Sequence, residues 1–145
     1  MNRRGMMLVV GLFIVFGCKH VDRSLTKKGE IKQEWGSLDD EKFIRVRGIG
    51  AAPTEAKDAT QARGMARNSG LVAARYELLG RLKGLKLEGG LTVSQLIQTD
   101  AAIQERADAV IRGAEEVSVE WTGDGGAVVV LQVPRSAVES LGRTR

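Results

Sequence analysis

The chain of 145 residues holds a single cysteine, Cys18, directly behind an almost wholly apolar run at residues 6–16 that begins after Arg3 and Arg4. This order of basic, apolar and cysteine-bearing segments reads as an export signal with a lipidation site at its end. As a helix the run would reach only about 17 Å at about 1.5 Å per residue, against a hydrocarbon core of roughly 30 Å, so the expectation is a segment that is removed, not one that spans. With no second cysteine the mature chain can form no internal disulfide. The fold must then be held by a hydrophobic core drawn from about a hundred residues, enough for one modest domain.

Val15-Phe16-Gly17-Cys18 resembles the bacterial lipobox, with Gly17 as its small residue and Phe16 bulkier than is usual at its place. The resemblance implies cleavage between Gly17 and Cys18, a diacylglyceryl group on the Cys18 thiol and, in many bacteria, a third chain on its amine. Two or more chains are what stable anchoring requires, because one alone gives marginal membrane affinity. The alternative is a plain signal peptide with a chance cysteine near its cleavage region. Lys19 is not the aspartate that commonly retains lipoproteins in the inner membrane, which fits an outer-membrane destination.

The chain divides into a signal peptide at residues 1–17, a lipidated N-terminus and tether at 18–40, and a folded domain at 41–145. Removal of the signal takes Arg3 and Arg4 with it and lowers the side-chain charge from +4 to +2. So small an excess argues against a nucleic-acid binder. In the tether Val21, Leu25, Ile31, Trp35 and Leu38 follow neither a helical nor a strand period, and charges fill the gaps. A solvated coil is expected there, holding the domain on the order of 25 Å from the bilayer. The alternative makes Trp35 an anchor for a partner or for the domain.

From Lys42 the pattern changes. Residues 42–49 are rich in β-branched side chains and read as a first strand, ending in a turn at Gly48-Ile49-Gly50 and Pro53. Thr54 is expected to cap a long helix that runs to Lys83 and stops at Gly84. A strand-like piece at 85–88 and a Gly89-Gly90 turn follow. Ser94 is expected to cap a short turn through Gln98, and Thr99 or Asp100 a second helix with the stripe Ile103, Ala107, Val110 and Ile111, closed by Gly113. Val117, Val119 and Trp121 then alternate with polar residues, which predicts a strand with a buried Trp121. A turn at residues 123–126 leads into a strand at 127–133 ended by Pro134, and Val138 and Leu141 suggest a last helical turn.

The long helix is small-residue rich in its first half, at Ala56, Ala59, Ala62 and Ala66, and apolar on two sides in its second. At about 100° per residue, Val72, Ala73, Tyr76 and Leu79 share one side, and Leu71, Ala74, Leu78 and Leu82 another. A helix that covers one sheet face needs one stripe. The second, with Leu71, Leu78 and Leu82, must meet either the second helix and C-terminal turn or another copy of the chain, and it is the candidate interaction surface.

Arg47-Gly48-Ile49-Gly50-Ala51, Ala62-Arg63-Gly64-Met65-Ala66-Arg67, the stretch from Ala73 to Leu79 leading to Lys83-Gly84-Leu85, Leu91-Thr92-Val93, and Val110-Ile111-Arg112-Gly113-Ala114 before a strand and a Gly-Asp-Gly turn resemble, as an ordered series, the LPP-twenty lipoprotein family. That family includes FlgP-like outer-membrane lipoproteins of flagellar basal disks. The resemblance spans residues 43–133. It implies an α+β domain, a small antiparallel sheet of three to four strands packed against one long and one shorter helix, anchored in the outer membrane through acylated Cys18. It also implies no catalytic role, self-assembly in some members, and envelope or flagellar proteins as partners.

The residues offer little for catalysis. The one histidine, His20, lies in the tether and Cys18 is consumed by lipid, so no Cys-His or Ser-His-Asp arrangement and no nitrogen or sulfur metal set can be built in the domain; no cofactor or metal is expected. Asp39-Asp40-Glu41 and Glu115-Glu116 read as solvated acids. Gly48-Ile49-Gly50 lacks the third glycine of a dinucleotide fingerprint and reads as a tight strand-to-helix turn. Arg63, Arg67, Arg75 and Arg81 on the long helix could face anionic lipid or simply solvent. Two functions stay open: an assembly lipoprotein of an envelope complex, and a periplasmic ligand-binding or enzyme-modulating module.

Overall fold

The computed structural model describes residues 23–32, 38–87 and 89–143. Cys18, Gly17 and Trp35 lie outside them. Three strands, β1 (Phe43–Gly50), β2 (Glu115–Trp121) and β3 (Ala127–Pro134), form an antiparallel sheet in the order β1-β3-β2. Helices α1 (Ala59–Gly84), α2 (Val93–Thr99) and α3 (Ala101–Arg112) separate β1 from β2, and α4 (Arg135–Glu139) with a final 3₁₀ turn follows β3. The domain is therefore α+β, with one long helix and shorter ones on a small antiparallel sheet.

β3 is the central strand, and its run of Val128, Val129, Val130, Leu131 and Val133 is buried on both faces. Its partners on β1 define the two faces. Ile44 lies opposite Val133, Val46 opposite Leu131, Gly48 opposite Val129 and Gly50 opposite Ala127. These residues face α1, and Ile44, Val46, Val129, Leu131 and Val133 make the core with Ala74, Leu78, Leu82, Ala107, Val138 and Leu141. Gly48 and Gly50 have no positive φ, so they are not needed for a turn. A Cβ on Gly48 would stand 2.1 Å from the Gly70 carbonyl oxygen, and one on Gly50 1.9 Å from that of Ala66. The glycines let the backbone of α1 lie directly on β1.

α1 begins later than expected. Asp58, not Thr54, is its cap: the Asp58 carboxylate accepts from the Gln61 N–H at 2.8 Å, and Gln61 Oε1 accepts from the Lys57 N–H at 2.7 Å. That reciprocal pair satisfies donors that Thr54, directly after Pro53, leaves alone. Thr92 with Gln95 forms the capping box of α2, in place of Ser94, and Asp100 caps α3 as expected. Residues 85–87 add no strand to the sheet: Lys86 makes one isolated bridge to Thr92 around a loop in which Gly89 and Gly90 have positive φ.

β2 is an edge strand with a bulge. Glu116 pairs with Leu131 and Ser118 with Val130, so Val117 has no partner and the alternation breaks there. Beyond the bulge Val119 and Trp121 do face α1, opposite Val129 and Ala127. Trp121 is nevertheless 39% exposed, contrary to the burial expected of it. It ends the edge strand, with the Arg63 guanidinium of α1 over its ring at 5.7 Å from the centroid.

The largest departure concerns the tether. Residues 23–32 are docked as a small hairpin, with Leu25 bridged to Ile31 and Gly29 at a φ of 78° in the turn. Ser24 is fully buried. Its N–H and that of Leu25 donate to the two carboxylate oxygens of Glu120 at 2.8 and 3.3 Å, and its hydroxyl accepts from Arg47 Nε at 2.7 Å. Glu120 and Arg47 stand on the sheet face opposite α1, on the two outer strands. The hairpin thus bridges the face that carries Val128 and Val130, and Gly123 N–H donating to the Gly29 carbonyl at 3.0 Å ties its tip to the β2–β3 turn.

Candidate functional site

The proposed interaction stripe is resolved into two different environments. Leu78 and Leu82 are fully buried and Leu71 is half-buried against the core, so this side of α1 is the one that meets the sheet and the other helices. It is not available to a partner, and the intramolecular alternative holds. The side expected to pack on the sheet is the open one. Val72 is 50% and Tyr76 72% exposed, and with half-buried Leu79 they line a groove of about 270 Å³ against Ile111 of α3. The groove is rimmed by Arg75, Arg112 and Asp108. Spacings of four and three residues place Val72, Tyr76 and Leu79 on one helix face. Periodicity showed both stripes; what it could not show is that the glycine contacts at β1 turn α1 so that Ala66, Gly70 and Ala74 lie innermost.

The arginines of α1 are mostly engaged inside the domain. Arg63 covers Trp121, and Arg67 Nη2 donates to Glu116 Oε1 at 2.9 Å. Arg81 Nη1 donates to the Arg45 carbonyl at 2.8 Å and its Nη2 pairs with Asp39 at 2.6 Å. Only Arg75 of the four opens onto the groove.

The acidic residues are also structural. Asp39 Oδ1 accepts from the Arg45 N–H at 2.9 Å, so Asp39 and Arg81 together occupy the free edge of β1 at Arg45 and block further strand pairing there. Asp40 Oδ1 accepts from the N–H groups of Lys42 and Phe43, both at 2.8 Å, and its other oxygen pairs with Arg45 at 3.0 Å. Those backbone donors, with the Arg45 guanidinium adding to them, hold the Asp40 carboxyl at about 2, below its ordinary 3.8. On the far sheet face Arg45 Nε donates to Gln132 and Gln132 Nε2 to Glu115, a polar relay across all three strands. Asp124 is likewise lowered by the Thr122 hydroxyl and then the Gly126 N–H within its turn.

Among the described residues no group of three or more His, Cys, Asp or Glu side chains could hold a metal ion, and no helix is long and apolar enough to cross a membrane. The residues that sequence reasoning missed are Glu120 and the hairpin it holds. The signal was present in Leu25-Thr26-Lys27-Lys28-Gly29-Glu30-Ile31, two apolar residues flanking a glycine turn. Comparison of the chain with family models, curated proteins and solved structures gave no match.

Proposed function

We propose that the chain is a lipoprotein, cut between Gly17 and Cys18, acylated on Cys18 and held in the outer membrane with its domain in the periplasm, where it serves the assembly of an envelope complex and not catalysis. The position of the lone cysteine carries this reading: Cys18 follows a basic and then an apolar segment too short to span a bilayer. Lys19 supports the outer-membrane destination, and the resemblance of the motif series to LPP-twenty proteins supports an assembly role, with a flagellum-associated complex as one candidate setting. The open groove at Val72, Tyr76, Leu79 and Ile111 is the surface best suited to a protein partner or a second copy, since its apolar floor is flanked by charges of both signs. It supports assembly over small-ligand binding, because its volume of about 270 Å³ lies below the roughly 300–1,000 Å³ of small-molecule pockets. The test is Cys18→Ser in the full-length chain. Labelled palmitate should be lost and the protein should leave the outer-membrane fraction; equal labelling of the variant would overturn the reading.

A further inference from the structure

The docked hairpin changes where a lipid anchor would hold the domain. Four residues, and so five Cα–Cα steps, separate Cys18 from Arg23, where the described chain begins. At full extension this stretch reaches about 18 Å at most. A free tether of residues 18–40 would have let the domain float in any orientation. A hairpin fixed to the sheet by Ser24, Glu120, Arg47 and Gly123 does not: the sheet face opposite α1 is drawn toward the membrane.

That face is prepared for a charged surface. Arg23, Lys27, Lys28 and Lys32 are all exposed on the hairpin, against one acid within it, Glu30, and Asp124 in the neighbouring turn. The hairpin alone carries a net charge of +3, more than the whole mature chain's +2, so the rest of the protein has a slight negative balance. A chain from Cys18 that reaches no further than about 18 Å keeps these cations within about two screening lengths of the lipid headgroups at physiological salt. One lipidated residue and a basic cluster are the two signals that together make a firm membrane contact.

We propose that the hairpin at residues 23–32 is a second membrane contact, an anionic-phospholipid-binding surface that seats the sheet face on the bilayer and points the α1–α3 groove away from it. The proposal rests on acylation of Cys18. The acylated full-length chain is reconstituted in vesicles of phosphatidylethanolamine with phosphatidylglycerol, bearing a fluorophore on Glu30→Cys, which keeps all four cations, or on Tyr76→Cys in the groove. Nitroxide-headgroup lipid should quench the label at position 30 much more strongly than the label at 76. Neutralising Lys27, Lys28 and Lys32 to glutamine should weaken surface association by about fivefold per charge, and so should phosphatidylcholine vesicles or high salt weaken it. Equal quenching at the two positions, or quenching at 30 that survives neutralisation, overturns the proposal. Mass measurement of Cys18 separates the two failures. An unacylated Cys18 removes both the lipoprotein reading and the seating, whereas an acylated chain with an unquenched label at 30 removes the seating alone.

Discussion

At Gly50 a methyl group would stand 1.9 Å from the Ala66 carbonyl oxygen and 2.5 Å from the Gly70 nitrogen, both backbone atoms of α1 that cannot turn aside. Gly50→Ala is therefore expected to push the helix off the strand and to lower stability by about 1–3 kcal/mol or more, read as a lower urea midpoint. Gly64 sits in the same helix with nothing within 4 Å of its Cβ position. Gly64→Ala should accordingly raise stability by about 0.5–1 kcal/mol through helix propensity, and the opposite signs test whether space or backbone freedom decides at each site. Asp40 gives a pH signature. Because its carboxyl is held at about 2 in the fold against 3.8 ordinarily, its contribution is present above about pH 4 and is lost as pH falls toward 2. Asp40→Asn should flatten that part of the stability curve in an acid titration followed by circular dichroism. A curve as steep as the parent's would show that Asp40 does not govern it.

At the scale of elements, the hairpin depends on one carboxylate. Glu120 receives the N–H groups of both Ser24 and Leu25, and hydrogen bonds to a charged group are worth about 1.5–3 kcal/mol each. In Glu120→Ala the amides of Ser24 and Leu25 should exchange with solvent at least about tenfold faster while those of central β3 keep their protection. Simultaneous loss of protection in β3 would instead make the hairpin part of the core. The α+β class, the three strands of the sheet, the long helix and the caps at Asp100 and Gly113 were legible from alternation, periodicity and breakers. Leu25 and Ile31 around Gly29 marked a turn at residues 23–32, but its docking was not legible, because its stability comes from Glu120 and Arg47, far away in the chain. Trp121 misled for a related reason: alternation gives the face of a side chain, and strand order, which sequence does not show, gives its depth. The same holds for the two stripes of α1, where glycine contacts on β1 decided which one turned inward.

The whole molecule then has two unlike sides, a basic hairpin on one face of the sheet and, beyond the helices on the other, the groove of Val72, Tyr76, Leu79 and Ile111. A domain seated on a bilayer by its sheet face would present this groove to the periplasm, where a second copy or an envelope protein can reach it. Confinement at the membrane raises the effective concentration, so a shallow contact can suffice for assembly. Leu78 and Leu82 cannot serve that purpose, since both are fully buried. Leu78→Ala is expected to cost about 2–5 kcal/mol and Leu78→Glu to abolish the fold, whatever happens to assembly. Tyr76→Glu is the informative change, because a side chain 72% exposed can be replaced at little cost to the domain. On membranes it should reduce cross-linked multimers or co-purifying envelope proteins while the far-UV spectrum and thermal midpoint stay close to those of the parent. Unchanged cross-linking with an intact fold would remove the groove as the assembly surface and leave the docked sheet face and the α3 helix as the remaining exposed contacts to test.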